Sequence, residues 1–217
     1  MKFCVIGLGL FGQRLARELA EMNHEVLAID NREERLTEIR DIVTRALVAD
    51  ATHEDVLEQF LTDDFDACAI TIGTSIEDSL LTALHVKEIG IDHIHVKSNR
   101  PEHTKILRKL GISQIIMPEE NAAERLAIQI GNPDIYDYLK ITGNFGLVEI
   151  TVPERFVGNT LKELKLRQEE NIQVVGLQKP TDLRMSPVPS PNYTFEEEDR
   201  VILVGTQHRI NQYADDQ

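Results

Sequence analysis

The residues whose types and spacing could do chemistry gather first in GLGLFG at positions 7–12. Gly7, Gly9 and Gly12 spell G-x-G-x-x-G directly after an apolar run. The first glycine permits a tight turn, the second lets backbone approach a pyrophosphate, and the third lets a helix lie close on a sheet. The helix opening at Leu10 and Phe11 offers unpaired N–H groups to phosphate charge. Asp30 stands 18 positions after Gly12, at the end of the next apolar run. A carboxylate there accepts ribose hydroxyl hydrogens and repels a 2′-phosphate, which favours plain adenosine ribose over NADP. NAD, NADH, AMP, ADP and ATP all meet that requirement. Asn31 and Arg32 follow; Arg32 either softens the discrimination or is an exposed residue of the next helix. The bland alternative for the whole motif is a helix-packing turn with Asp30 as a helix cap.

Asp50, Ala51 and Thr52 end a third apolar run and are placed to meet an adenine, or to cap the following helix. Ile72 and Gly73 end a fourth, where their backbone would line phosphates or a second ring, unless Gly73 is only a turn residue. Other constellations carry less. Tyr136 and Lys140 form the YxxxK of a phenol acid with a lysine helper, but Ala122 and Ala123 occupy the stretch where a catalytic serine is needed. His93 and His95 alternate as strand metal ligands sometimes do, yet no third ligand completes a set. Cys4 and Cys68, the only two cysteines, sit inside apolar runs and read as reduced core residues.

These residues must be positioned by regular elements. Strand patterns at 2–6, 24–30, 46–50, 66–72, 93–97 and 114–118 alternate with helix patterns at 10–22, 32–42, 53–60, 76–89 and 101–110. Such alternation calls for right-handed crossovers and a doubly wound, Rossmann-like parallel sheet. After Pro118 a helix pattern spans 121–130, breaks at Gly131, Asn132 and Pro133, and resumes through Leu139. From Gly143 short strands at 147–152, 172–178 and 200–206, with a helix at 161–167, indicate a smaller α+β domain. The expected division is residues 1–120, a helical connector or dimerisation arm at 121–140, and a second domain at 141–217. The prolines at 187, 189 and 191 and the acidic run 196–199 read as solvated loops.

Composition bounds the partners. The net charge of −14 and scattered basic residues exclude a phosphate-backbone surface, so no nucleic acid is expected. No apolar stretch approaches the roughly 18 residues of a spanning helix. The apolar run after Met1 lacks the basic region and cleavage site of a secretory signal, so a cytoplasmic location is expected.

The segments VIGLGLFG, HEVLAID, ADAT, TIG, HVK and PEE, followed by a helical arm and an α+β domain, resemble the bacterial Trk/Ktr-type potassium uptake regulators. That family is built from RCK N-terminal and RCK C-terminal domains. The resemblance implies a regulatory subunit, not an enzyme, docked on the cytoplasmic face of a membrane potassium channel or transporter. Homodimers would assemble into an octameric ring whose shape follows the bound nucleotide, ATP against ADP or NADH against NAD. It implies ligand contacts at Gly7, Gly9, Leu10, Phe11, Gly12, Asp30, Asn31, Arg32, Asp50, Ala51, Thr52, Ile72, Gly73 and Lys97. It also implies a divalent cation, Mg²⁺ or Ca²⁺, at Glu119, and a cyclic di-AMP site involving Arg167 and Gln173. Two positions depart from the family pattern: Leu10 stands where an arginine often reaches the γ-phosphate, and Gln173 replaces an asparagine. The departure at Leu10 shifts weight toward AMP, ADP or NAD(H), or requires charge from Arg14, Lys97 or a neighbouring subunit. The rival reading is a small NAD-dependent oxidoreductase.

Overall fold

Six short strands carry apolar residues on both faces, the pattern of a parallel sheet covered on both sides. They are β1 (Lys2–Ile6), β2 (Glu25–Asp30), β3 (Arg45–Val48), β4 (Ala67–Ile70), β5 (Ile94–Lys97) and β6 (Gln114–Ile116). The computed structural model describes residues 1–182, 184–206 and 208–210, and these strands lie in the first of its two compact units, Met1–Glu120 and Asn121–Gln217. All pair in parallel, in the order β3-β2-β1-β4-β5-β6. Five helices connect them: α1 (Leu10–Glu21), α2 (Glu33–Thr37), α3 (Glu54–Glu58), α4 (Ile76–Glu88) and α5 (Pro101–Lys109). This is the doubly wound sheet expected from the alternation. Cys4, Ile6, Ile29 and Ile70 pack on one face, while Val5, Ala28 and Ala69 pack with Leu36 on the other. Cys4 and Cys68 are register partners on β1 and β4, free and fully buried; burial pushes the Cys4 thiol well above its ordinary range.

The chain runs from β1 through β2 to β3 on one side and then crosses back to β4 on the other side of β1, so the crevice at the carboxyl ends of β1 and β4 is the topological switch point. The turn there needs its glycines. Gly7 has φ +89, and a Cβ on it would meet Ile72 N at 2.9 Å. A Cβ on Gly12 would lie 2.0 Å from the Gly7 carbonyl oxygen and 2.5 Å from Thr71 Oγ1. Gly9 caps α1 and has open space around it.

The second unit contains most of α6 (Pro118–Gly131), then β7 (Ile135–Thr142), β8 (Phe145–Thr151), α7 (Leu161–Leu164), α8 (Leu166–Glu169), β9 (Gln173–Gln178), β10 (Ser186–Pro187) and β11 (Arg200–Thr206). Its sheet is antiparallel, in the order β10-β9-β11-β8-β7. Phe156 and Phe195, with ring centroids 5.5 Å apart, anchor its core with Val148, Ile150 and Leu203.

Four expectations are corrected here. No helix resumes after Pro133, because residues 135–142 form β7, which closes a hairpin with β8 across Gly143 (φ +53) and Asn144. Pairing there satisfies the backbone and buries Ile135 and Tyr138. Helix α6 begins at Pro118, since proline suits a first helical turn and Glu119 and Glu120 favour its positive end. Lys165 in a left-handed conformation (φ +48) divides the expected helix at 161–167 into α7 and α8. Asp199, expected in a solvated run, is fully buried and accepts hydrogen bonds from Tyr193 Oη at 2.8 Å and Glu196 N at 2.9 Å. The expected second domain extends to 217; Leu183, Gln207 and 211–217 of it lie outside the described residues.

Gly12→Ala forces backbone or Thr71 to move and is expected to cost about 1–3 kcal/mol. Gly9→Ala meets nothing and should leave the denaturation midpoint close to wild type. Chemical unfolding of both variants side by side checks the difference.

Candidate functional site

Helix α1 starts over the end of β1 with its N-terminus bare. Gly9 supplies no capping side chain and the first turn holds no acidic residue. Each of α2 to α6, by contrast, carries Asp or Glu in its first turn. In a chain with 37 acidic residues, the positive end of α1 is thus left for another anion.

Asp30 joins this turn to β2. It is 4% exposed, and its Oδ2 accepts from Leu8 N at 2.6 Å and from the Arg35 guanidinium at 3.1 Å. Its Oδ1 accepts from Arg32 N at 2.9 Å. The carboxylate expected to be open for ribose therefore already binds three protein donors. Gln13 Nε2 on α1 donates to the Arg35 carbonyl at 3.0 Å, a second tie between the turn and α2.

A cleft of about 520 Å³ opens along the carboxyl edge of the sheet. Gly7 and Gly9 floor it beside Ile72 and Gly73; Asp30, Asn31 and Arg32 form one end, and Asp50, Ala51 and Thr52 a wall. Asp50 Oδ1 accepts from Thr52 Oγ1 at 2.7 Å and Thr52 N at 3.0 Å, bonds that hold its carboxyl below the ordinary range. Thr82 Oγ1 of α4 donates to the Ala51 carbonyl at 3.2 Å and fixes that wall from behind.

Four expected residues do not line this cleft. Leu10 is 90% exposed, because the first turn of α1 rotates it to solvent. Gly12 is consumed by the contact with Gly7. Lys97 lies with its Nζ 2.5 Å from Glu119 Oε1 and 5.8 Å above the Phe11 ring centroid, so Lys97 joins Glu119 by an ion pair and Phe11 by a cation–ring contact outside the cleft lining. Lys97 holds the Glu119 carboxyl below the usual carboxylate range. Among the described residues, Glu54, His85 and Glu88 bring three ligand atoms within 4.8 Å of one another, a group that does not include Glu119. Arg14 pairs with Glu18 at 2.5 Å. Arg167 on α8 and Gln173 on β9 are exposed and do not line this cleft.

The sequence reading missed Arg35, Thr74 and Asp78, all of which line the cleft. Arg35 follows Asp30 by five positions; a basic residue one turn into the helix after β2 is the available signal. The YxxxK residues lie in the other unit, on β7: the Arg200 guanidinium stacks 3.6 Å from the Tyr136 ring centroid, and Lys140 pairs with Glu124 at 3.4 Å. Among the described residues no helix is long and apolar enough to cross a membrane.

Two family models match the chain, the TrkA-N domain over residues 3–118 and the TrkA-C domain over residues 147–216. Ktr system potassium uptake protein C of Bacillus subtilis (strain 168) is 34% identical over 212 residues, covering 98% of this chain and 95% of that protein. Ktr system potassium uptake protein A of Vibrio alginolyticus is 34% identical over 209 residues, covering 96% and 94%. Among solved structures, the GsuK RCK domain matches with a TM-score of 0.67 at 18% identity, over 99% of this chain and 46% of that one. The GsuK channel bound to NAD matches with a TM-score of 0.66 at 18% identity, over 96% and 38%. This chain spans less than half of those two solved chains, and they share its fold.

The Lys97–Glu119 pair predicts a titration. Because Lys97 depresses the Glu119 carboxyl, the pair is intact above the ordinary glutamate range and is lost as pH falls through the lowered value. In Lys97→Met the Glu119 carboxyl should titrate at higher pH than in wild type, as read by carboxyl-carbon NMR.

Proposed function

This chain belongs to the TrkA family of potassium uptake proteins, and on that premise we propose that it is the nucleotide-responsive regulatory subunit of a Ktr-type potassium uptake system. The observation that carries the ligand half is the bare N-terminus of α1 above the Gly7 turn, opening on a cleft of about 520 Å³ that Asp30 also lines. Phosphates belong at the glycine turn, a ribose at Asp30 and an adenine along Asp50 to Thr52. AMP, ADP, ATP and NAD(H) share these parts. With Leu10 turned to solvent, ligands lacking a γ-phosphate suit the turn best.

Regulation follows from binding alone. A nucleotide can shift an assembly between two shapes only by the difference in its affinity for them. Homodimers built into an octameric ring beneath a membrane potassium channel or transporter provide two such shapes, and the subunit would lie at the cytoplasmic face through that partner. A divalent cation at Glu119 would have to displace Lys97, and cyclic di-AMP would have to recruit the exposed Arg167 and Gln173. The rival oxidoreductase finds no support in the Tyr136 and Lys140 pair, whose side chains are engaged with Arg200 and Glu124.

Calorimetric titration of the full chain with ATP, ADP, AMP, NAD and NADH, with and without Mg²⁺, while light scattering follows mass, tests this reading. Micromolar binding by an assembly larger than a dimer is expected; nicotinamide turnover, or no binding by any nucleotide, would refute it. Asp30→Ala should weaken adenine nucleotide binding by about 1–3 kcal/mol through lost ribose bonds, measured in protein that still unfolds cooperatively.

A further inference from the structure

The ribose end of the cleft has a charge balance that Asp30 alone does not predict. Arg35, with its side chain 27% exposed, pairs with Asp30 Oδ2 at 3.1 Å and lines the cleft. Its backbone is held by Gln13 at 3.0 Å, so the guanidinium projects from a fixed point. Arg32 lines the same end, and among the described residues its side chain pairs with no carboxylate. Asp50, at the end of the neighbouring strand, is turned onto its own loop by two bonds from Thr52. At this end Asp30 is thus paired with the Arg35 guanidinium, and Arg32 lines the cleft beside them.

A carboxylate at this position excludes a phosphorylated ribose by like-charge repulsion. That argument weakens once the carboxylate is ion-paired and Leu8 N, Arg32 N and Arg35 take three of its roughly four acceptor sites. What remains for a ligand is one acceptor site on Asp30 Oδ1, enough for a ribose hydroxyl, and the outer edge of a planar guanidinium, whose fork matches phosphate oxygens. We propose that Arg35 sets ribose specificity: paired with Asp30, it makes this end accept an adenosine ribose bearing a 2′-phosphate, so the cleft takes NADP-type dinucleotides as well as NAD. The inference rests on the adenine nucleotide reading above and removes the preference expected from Asp30 in the sequence.

The test is calorimetric titration of the full chain and of Arg35→Ala and Arg35→Lys with NAD, NADP and AMP, each variant first checked by thermal unfolding. Wild-type affinities for NAD and NADP should agree within about tenfold. Arg35→Ala should lose at least about tenfold for NADP and less than about threefold for NAD, with Arg35→Lys between. If Arg35→Ala does not fold, Arg35→Gln, which keeps a donor toward Asp30, carries the comparison. A wild-type preference for NAD beyond about tenfold overturns the proposal and leaves the nucleotide reading standing. Equal losses for both dinucleotides overturn it too, since the arginine would then only hold Asp30. Failure of all three ligands to bind removes the proposal together with the reading beneath it.

Discussion

Two absent side chains decide the geometry of the cleft. At Gly7 and Gly12 backbone approaches backbone so closely that a Cβ would overlap a carbonyl or an amide, and only that contact lets α1 descend onto β1 and β4 at the switch point. The bare helix end follows from it. So does the bond from Leu8 N to Asp30, because the turn brings the amide next to Gly7 over the end of β2. The glycine motif and the acidic residue, read as separate ligand contacts, form one hydrogen-bonded structure spanning the first two strands.

Much of the first unit was legible because its strands are buried on both faces and its helices on one, which leaves apolar runs alternating with stripes. Strand ends then place Gly7, Asp30, Asp50 and Ile72 along one edge without knowledge of packing. Arg35 was not legible, since whether it meets Asp30 depends on the angle at which α2 leaves β2. The pairing of Lys97 with Glu119 depends on how β5 and the start of α6 align, again a tertiary matter. Leu10 and Gly12, ligand contacts by the family resemblance, do not line the cleft: helix rotation turns Leu10 to solvent, and Gly12 packs against Gly7 as the motif's third glycine should.

The second unit was harder because one of its strands was read with the wrong period. Ile135 and Tyr138 are the buried pair of β7 and lie three apart, a spacing that imitates a helical stripe. A register irregularity between Ile135 and Asp137 produces it. The Gly143-Asn144 turn flanked by β-formers was the better signal and marks a tight hairpin. Asp199 was misread for a different reason: a carboxylate inside an acidic run looks solvated until Tyr193 and Glu196 are seen to fold over it.

The net charge of −14 belongs to a chain whose first unit nevertheless offers an anion a bare helix end, with Arg32 lining the same cleft. At long range the molecule repels an anion that its cleft attracts at contact. Screening removes the first effect sooner than the second, because a Debye length of about 8 Å at physiological ionic strength cuts off the distant field and leaves short hydrogen bonds largely intact. For an anion entering such a cleft the capture rate therefore climbs with ionic strength, the reverse of a steered encounter.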